Sequence, residues 1–140
     1  MKMLLTKKFT FEMAHALDGY DGKCANLHGH SYHMEVTMEG PANVEDSDGD
    51  GIIIDFHAIK DIVQQAIIDR FDHALVLKDG SSLIAASTSM SNLINVPFNP
   101  TTENLLLHFA KLIEPHLPTG TRLYSIKLAE TDTSVAELLM

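Results

Sequence analysis

A chain of 140 residues, 45% hydrophobic and 21% charged, has the size of one domain, expected to span residues 1–140. It carries enough apolar side chains for a core, which excludes a disordered or fibrous polypeptide. A formal net charge of −9 repels phosphate backbones and anionic lipid, so neither nucleic acid nor a membrane surface is the expected partner.

The single cysteine, Cys24, leaves no internal disulfide and fits a reducing compartment. The apolar start Met1–Leu5 is cut off by Lys7 and Lys8, far short of a signal-peptide core or a membrane span. The expected location is the cytoplasm. No repeat or linker divides the chain.

From Leu5 to His15 the residues alternate, with Leu5, Phe9, Phe11 and Met13 on one parity, the period of a half-buried strand. Residues 16–27 contain two glycines and two aspartates and read as a loop. A second alternating run sets Tyr32, Met34, Val36 and Met38 against Ser31, His33, Glu35, Thr37 and Glu39, and Gly40–Pro41 ends it. Residues 43–51 form an acidic turn. Asp46 to Gly51 imitates the start of a calcium loop, but the twelfth position is His57 rather than glutamate and no helix precedes it.

The period becomes helical from Asp55, the predicted N-cap, to Phe71, with Phe56, Ile59, Ile62, Val63, Ala66, Ile67 and Phe71 as one stripe. Residues 79–100 are Ser-rich and weakly patterned, with a short helix and an extended piece at Asn95–Phe98. Pro100-Thr101-Thr102-Glu103 opens a second helix to about Glu114, striped by Leu105, Leu106, Phe109, Leu112 and Ile113. After Pro118–Gly120 comes a last strand with Tyr124, Ile126 and Leu128 on one face. Alternating strands favour an antiparallel sheet with two main helices on one face, an α+β fold.

Eight histidines stand out in the composition. His15 shares the inward parity of its strand, and His28 and His30 share that of Tyr32 and Met34. Imidazoles at i and i+2 project to one side of a strand, and neighbouring strands lie about 5 Å apart, so the three can converge. Three neutral imidazoles with an open fourth position suit Zn2+ at a catalytic site. Cys24, four residues before His28, is either a fourth ligand or a nearby acid–base group.

Asp72-His73 is either a proton-transfer pair or a histidine at a helix end. Glu130 continues the inward parity of the last strand, where a carboxylate needs a cation or the N–H groups of a ligand. Glu103, in a first helical turn, reads most simply as a surface acid favoured by the helix dipole.

Several of these pieces occur in one familiar order. Phe11-x-x-Ala14-His15, Lys23-Cys24-x-x-Leu27-His28-Gly29-His30-x-Tyr32, Ile54-Asp55-Phe56, Asp72-His73, Pro100-Thr101-x-Glu103-Asn104 and Glu130-Thr131 together are similar to the 6-pyruvoyltetrahydropterin synthase family. The resemblance runs from about Phe9 to Glu137. The three residues between Cys24 and His28 are most similar to its 6-carboxytetrahydropterin synthase branch, of the queuosine pathway. Phe71, where leucine is usual, and Glu137-Leu138, where an aromatic is common, depart from the pattern.

The resemblance implies a tunnelling fold, with subunit sheets joining into an oligomeric barrel, helices outside and sites at subunit interfaces. The homo-oligomer would be built on trimers, a hexamer among the options. It implies zinc on His15, His28 and His30. Cys24 would lie off the metal and transfer protons with Asp72 and His73. Glu130 would anchor a pterin, with Thr102 and Glu103 near the same ring. The implied reaction converts 7,8-dihydroneopterin triphosphate to 6-carboxy-5,6,7,8-tetrahydropterin, releasing acetaldehyde and triphosphate. The alternatives are the pyruvoyl-forming synthase, another pterin side-chain lyase, or a non-catalytic zinc- or pterin-binding module.

Overall fold

A computed structural model describes residues 1–41 and 51–140. The acidic turn and most of the calcium-loop imitation lie outside those residues. Strands β1 (Lys2–His15) and β2 (His28–Pro41) pair antiparallel over their whole length, from Lys2 opposite Pro41 to His15 opposite His28. Strand β5 (Arg122–Thr131) adds antiparallel to β2, and β6 (Ser134–Leu139) adds antiparallel to β5. In β1 and in the first half of β2 the alternating pattern gives one buried and one open face, as the sequence predicts.

The expectation of a wholly antiparallel sheet needs correction. Strands β3 (Ala74–Lys78) and β4 (Leu93–Val96) complete a six-stranded sheet in the order β4-β3-β1-β2-β5-β6. β3 runs parallel to β1, and β4 runs parallel to β3. Ala74, Leu75, Val76 and Leu77 are all buried, so this strand has no alternation to read. The extended piece expected at Asn95–Phe98 falls at β4, two residues earlier, and β6 is a strand the pattern did not show.

Helix α1 (Phe56–Val63) starts where expected: the Asp55 carboxylate accepts the His57 backbone N–H at 2.8 Å. It continues through a π-helical segment (Gln64–Ile68) into α2 (Asp69–Phe71). The wider turn shifts the apolar stripe, so Ile67 and Ile68 are both buried while Phe56 stays exposed. Helix α3 (Thr102–Ile113) is capped by Thr101, whose hydroxyl accepts the Asn104 N–H at 3.2 Å.

The core lies between the helices and the sheet. Phe11 stacks on Tyr32 with ring centres 5.2 Å apart, and Phe109 meets Phe71 edge-on at 5.0 Å. Burial of these rings removes apolar surface from water at about 25 cal/mol per Å². It also sets a firm floor under the end of β1 and the start of β2, where His15, His28 and His30 sit. Among the described residues no helix is long and apolar enough to cross a membrane.

Candidate functional site

The β1–β2 register puts His15 directly opposite His28 and Met13 opposite His30. The ring centres lie 4.6 Å apart for His15–His28, 5.2 Å for His15–His30 and 5.0 Å for His28–His30. One nitrogen from each ring falls within 4.8 Å of the others. Gly29 permits this approach: a Cβ there would sit 3.2 Å from the Met13 carbonyl oxygen on the facing strand.

Hydrogen bonds assign the tautomers. His15 Nδ1–H donates to the Pro100 carbonyl at 2.7 Å, and His28 Nδ1–H donates to the Asn26 carbonyl at 2.7 Å. Each ring therefore turns its Nε2 lone pair inward. His15 Nε2 is buried without a hydrogen-bond partner, and its nearest acid, Glu130 Oε1, stays 3.8 Å away.

An orphaned buried nitrogen costs free energy unless something else satisfies it. Burial pushes the His15 pKa below the usual imidazole range, helped by His28 and His30 and opposed by the Pro100 carbonyl and Glu130. A neutral ring is the form that binds metal. The three histidines can hold a divalent ion, and among the described residues Cys24 does not belong to the converging group.

Beside His15 lies a cavity of about 450 Å³, into which Tyr20, Cys24, Thr102, Glu103 and Glu130 also project. They arrive from four separate parts of the chain, Thr102 and Glu103 sharing one. Cys24 sits on a single 3-10 turn (Lys23–Ala25), and its carbonyl accepts the Leu17 N–H at 2.9 Å, which ties the turn to the end of β1. Thr102 and Glu103 follow the Thr101 cap at the start of α3. Reciprocal bonds of 2.9 Å between Asp18 and Asn99 hold that start against the loop.

Glu130 is the extra residue of a β-bulge: Ala129 pairs with Val135 and Thr131 with Ser134. Bulges re-aim side chains, and this one turns a half-buried carboxylate toward His15. Glu103, read as a surface acid, is exposed and lines the cavity as well.

Asp72 and His73 form a pair, with His73 Nδ1 at 3.0 Å from Asp72 Oδ2. The Glu12 peptide fixes both residues: its N–H donates to Asp72 Oδ1 at 2.9 Å, and its carbonyl accepts the His73 N–H at 2.6 Å. The Glu12 N–H, followed by His73, holds the Asp72 carboxyl below its usual range. His73 follows the α2 cap with φ of 60°, the left-handed conformation common just past a helix end. The structure thus places the motif at a helix end with its two side chains paired. His73 borders another cavity, of about 360 Å³, with Glu12, Gly29 and His30. Within one chain it does not share the cavity of Cys24.

Tyr20 and the Thr133–Val135 side of that cavity escaped the sequence reading. The first lies in a loop without periodicity, and the second is the turn before, and the start of, the strand that was not seen.

The 6-pyruvoyl tetrahydropterin synthase family matches residues 4–139. The chain belongs to this family. It is 36% identical over 140 residues to the 6-carboxy-5,6,7,8-tetrahydropterin synthase of Haemophilus influenzae, covering 95% of this chain and 96% of that one. Identity to the 6-pyruvoyl tetrahydrobiopterin synthase of Drosophila melanogaster is 28%, over 94% of this chain and 76% of that protein. The family fold is also seen in the 6-pyruvoyl tetrahydropterin synthase of Caenorhabditis elegans. That structure gives a TM-score of 0.71 at 18% identity, covering 100% of this chain and 96% of its own.

Proposed function

We propose that this chain is a zinc-dependent lyase. It converts 7,8-dihydroneopterin triphosphate to 6-carboxy-5,6,7,8-tetrahydropterin, releasing acetaldehyde and triphosphate, in the cytoplasm and on the route to queuosine. The observation that carries the reading is the juxtaposition of His15, with its unpaired Nε2, and a cavity that also receives Cys24 and Glu130. The full-length likeness to a named 6-carboxy-5,6,7,8-tetrahydropterin synthase supports this branch over the pyruvoyl-forming one.

Zn2+ on His15, His28 and His30 would supply Lewis-acid polarisation of the substrate's side-chain oxygens. The rest falls to the protein. Glu130 accepts the ring N–H and amino protons at one edge of the pterin, and Thr102 and Glu103 border the same edge. Cys24, on the same cavity, exchanges protons with a side-chain carbon and with C6. In the Asp72–His73 pair, Asp72 holds Nδ1 and leaves Nε2 to exchange protons. Since His73 and Cys24 border different cavities of one chain, they meet only if a second copy supplies one of them. A homo-oligomer built on trimers, with sites at its interfaces, provides this.

Incubation of the purified protein with dihydroneopterin triphosphate tests the reading. Acetaldehyde and a 6-carboxy product are expected. A pyruvoyl product assigns the chain to the sister activity, and no turnover leaves a binding module.

A further inference from the structure

Tyr20 lies in the loop between β1 and β2 and is 54% exposed. Its ring rests on Gly22: a Cβ built there would fall 2.9 Å from Tyr20 Cε1 and 3.5 Å from Cδ1. Gly22 has φ of 160°, extended backbone open to any residue, so what the glycine provides here is room for the ring. Tyr32 is buried against Phe11, whereas among the described residues Tyr20 packs on no aromatic neighbour, and it borders the cavity of Cys24, Thr102 and Glu130. Among the described residues it is the one phenol ring on that cavity. Leu17 and Val135 add apolar surface beside it.

A flat, hydrogen-bonding heterocycle needs two kinds of contact. Acceptors in its plane fix its edge, and a flat apolar surface covers its face. The carboxylates Glu103 and Glu130 provide the first, and nothing assigned so far provides the second. We infer that Tyr20 is the stacking platform for the bicyclic ring of the substrate, held in place by the absence of a side chain at Gly22. The inference rests on the pterin reading above and adds the residue that binds the face of the ring. A stack of this kind is tolerant of ring substituents and sensitive to loss of the aromatic.

The test uses neopterin, a fluorescent pterin without the triphosphate, titrated into the zinc-loaded protein and followed by quenching. Tyr20→Ala should weaken binding on the order of tenfold, while Tyr20→Phe should stay within about twofold of the parent. Gly22→Ala, which displaces the ring and removes nothing, should weaken binding by about threefold. Zinc content and melting temperature should be the same in all four proteins, so that a loss of affinity reports the ring and not the fold. Parental affinity in Tyr20→Ala or Gly22→Ala overturns the inference, and so does a Tyr20→Phe defect as large as that of alanine, which would assign the effect to the hydroxyl. A parent protein that binds no neopterin removes the pterin reading itself and this inference with it.

Discussion

His15 and Pro100 are 85 positions apart in sequence and joined by a 2.7 Å hydrogen bond from the imidazole Nδ1–H to the prolyl carbonyl. The bond locks the end of β1 to the start of α3. It also fixes which nitrogen of His15 faces His28 and His30. The same side-chain rotation that pairs one nitrogen leaves the other buried and unpaired.

Metal should therefore stabilise the fold. At free zinc well above its dissociation constant, we expect the melting temperature to rise by roughly 5–10 °C over the chelator-treated protein. His15→Ala should abolish this increment. An equal increment in parent and variant would mean that zinc binds elsewhere.

The Asp72 carboxyl sits below its ordinary value because it accepts the Glu12 N–H and pairs with His73. A depressed folded pKa adds stability that is full above the ordinary carboxyl range and is lost as pH falls through the folded value. Stability should thus fall more steeply with acidification below about pH 4 in the parent than in a chain without this group. Asp72→Asn should flatten that part of the profile and lower kcat by about 10²–10⁴-fold with zinc retained. A parental kcat in Asp72→Asn would remove the pair from the chemistry.

Glu39, buried on β2, is held by Arg122 through two bonds, 3.0 Å from Nε and 2.8 Å from Nη2, and by Lys2. These bonds keep its carboxyl low, the Arg122 bonds most of all. Arg122→Ala should lower the melting temperature more than Lys2→Ala, since it removes the bidentate partner. Thermal melts of the two variants in parallel decide this, and equal melting temperatures would contradict it.

Phe109 touches Phe11 and Phe71 and is fully buried. Truncation to alanine should cost about 3–5 kcal/mol in denaturant unfolding. A loss under about 1 kcal/mol would show that the site collapses around the missing ring.

What could be read from sequence was whatever repeats with a period. Phe9, Phe11, Met13 and His15 on one parity, and His28, His30 and Tyr32 on another, needed only strand alternation to be placed inward, and Asp55 and Thr101 declared two helix starts. β3 was hidden because burial on both faces erases alternation. β6 was hidden because Val135 and Leu139 are exposed apolar residues at the sheet edge. Bulges broke the counting elsewhere. At the Thr37–Met38 register shift Tyr124 becomes the unpaired residue, so Leu123 and Ser125 are buried while Tyr124, expected inward, is only half-buried. Glu130 points inward as its parity suggested, but a second bulge aims it. The separation of Asp72–His73 from Cys24 depends on where loops end, and no local pattern encodes that.

The most direct test replaces Cys24 by alanine and measures zinc per chain together with acetaldehyde release. Full zinc occupancy with turnover abolished is the predicted result. Loss of the metal would make the thiol its fourth ligand and close the site, and unimpaired turnover with zinc in place would remove Cys24 from the reaction.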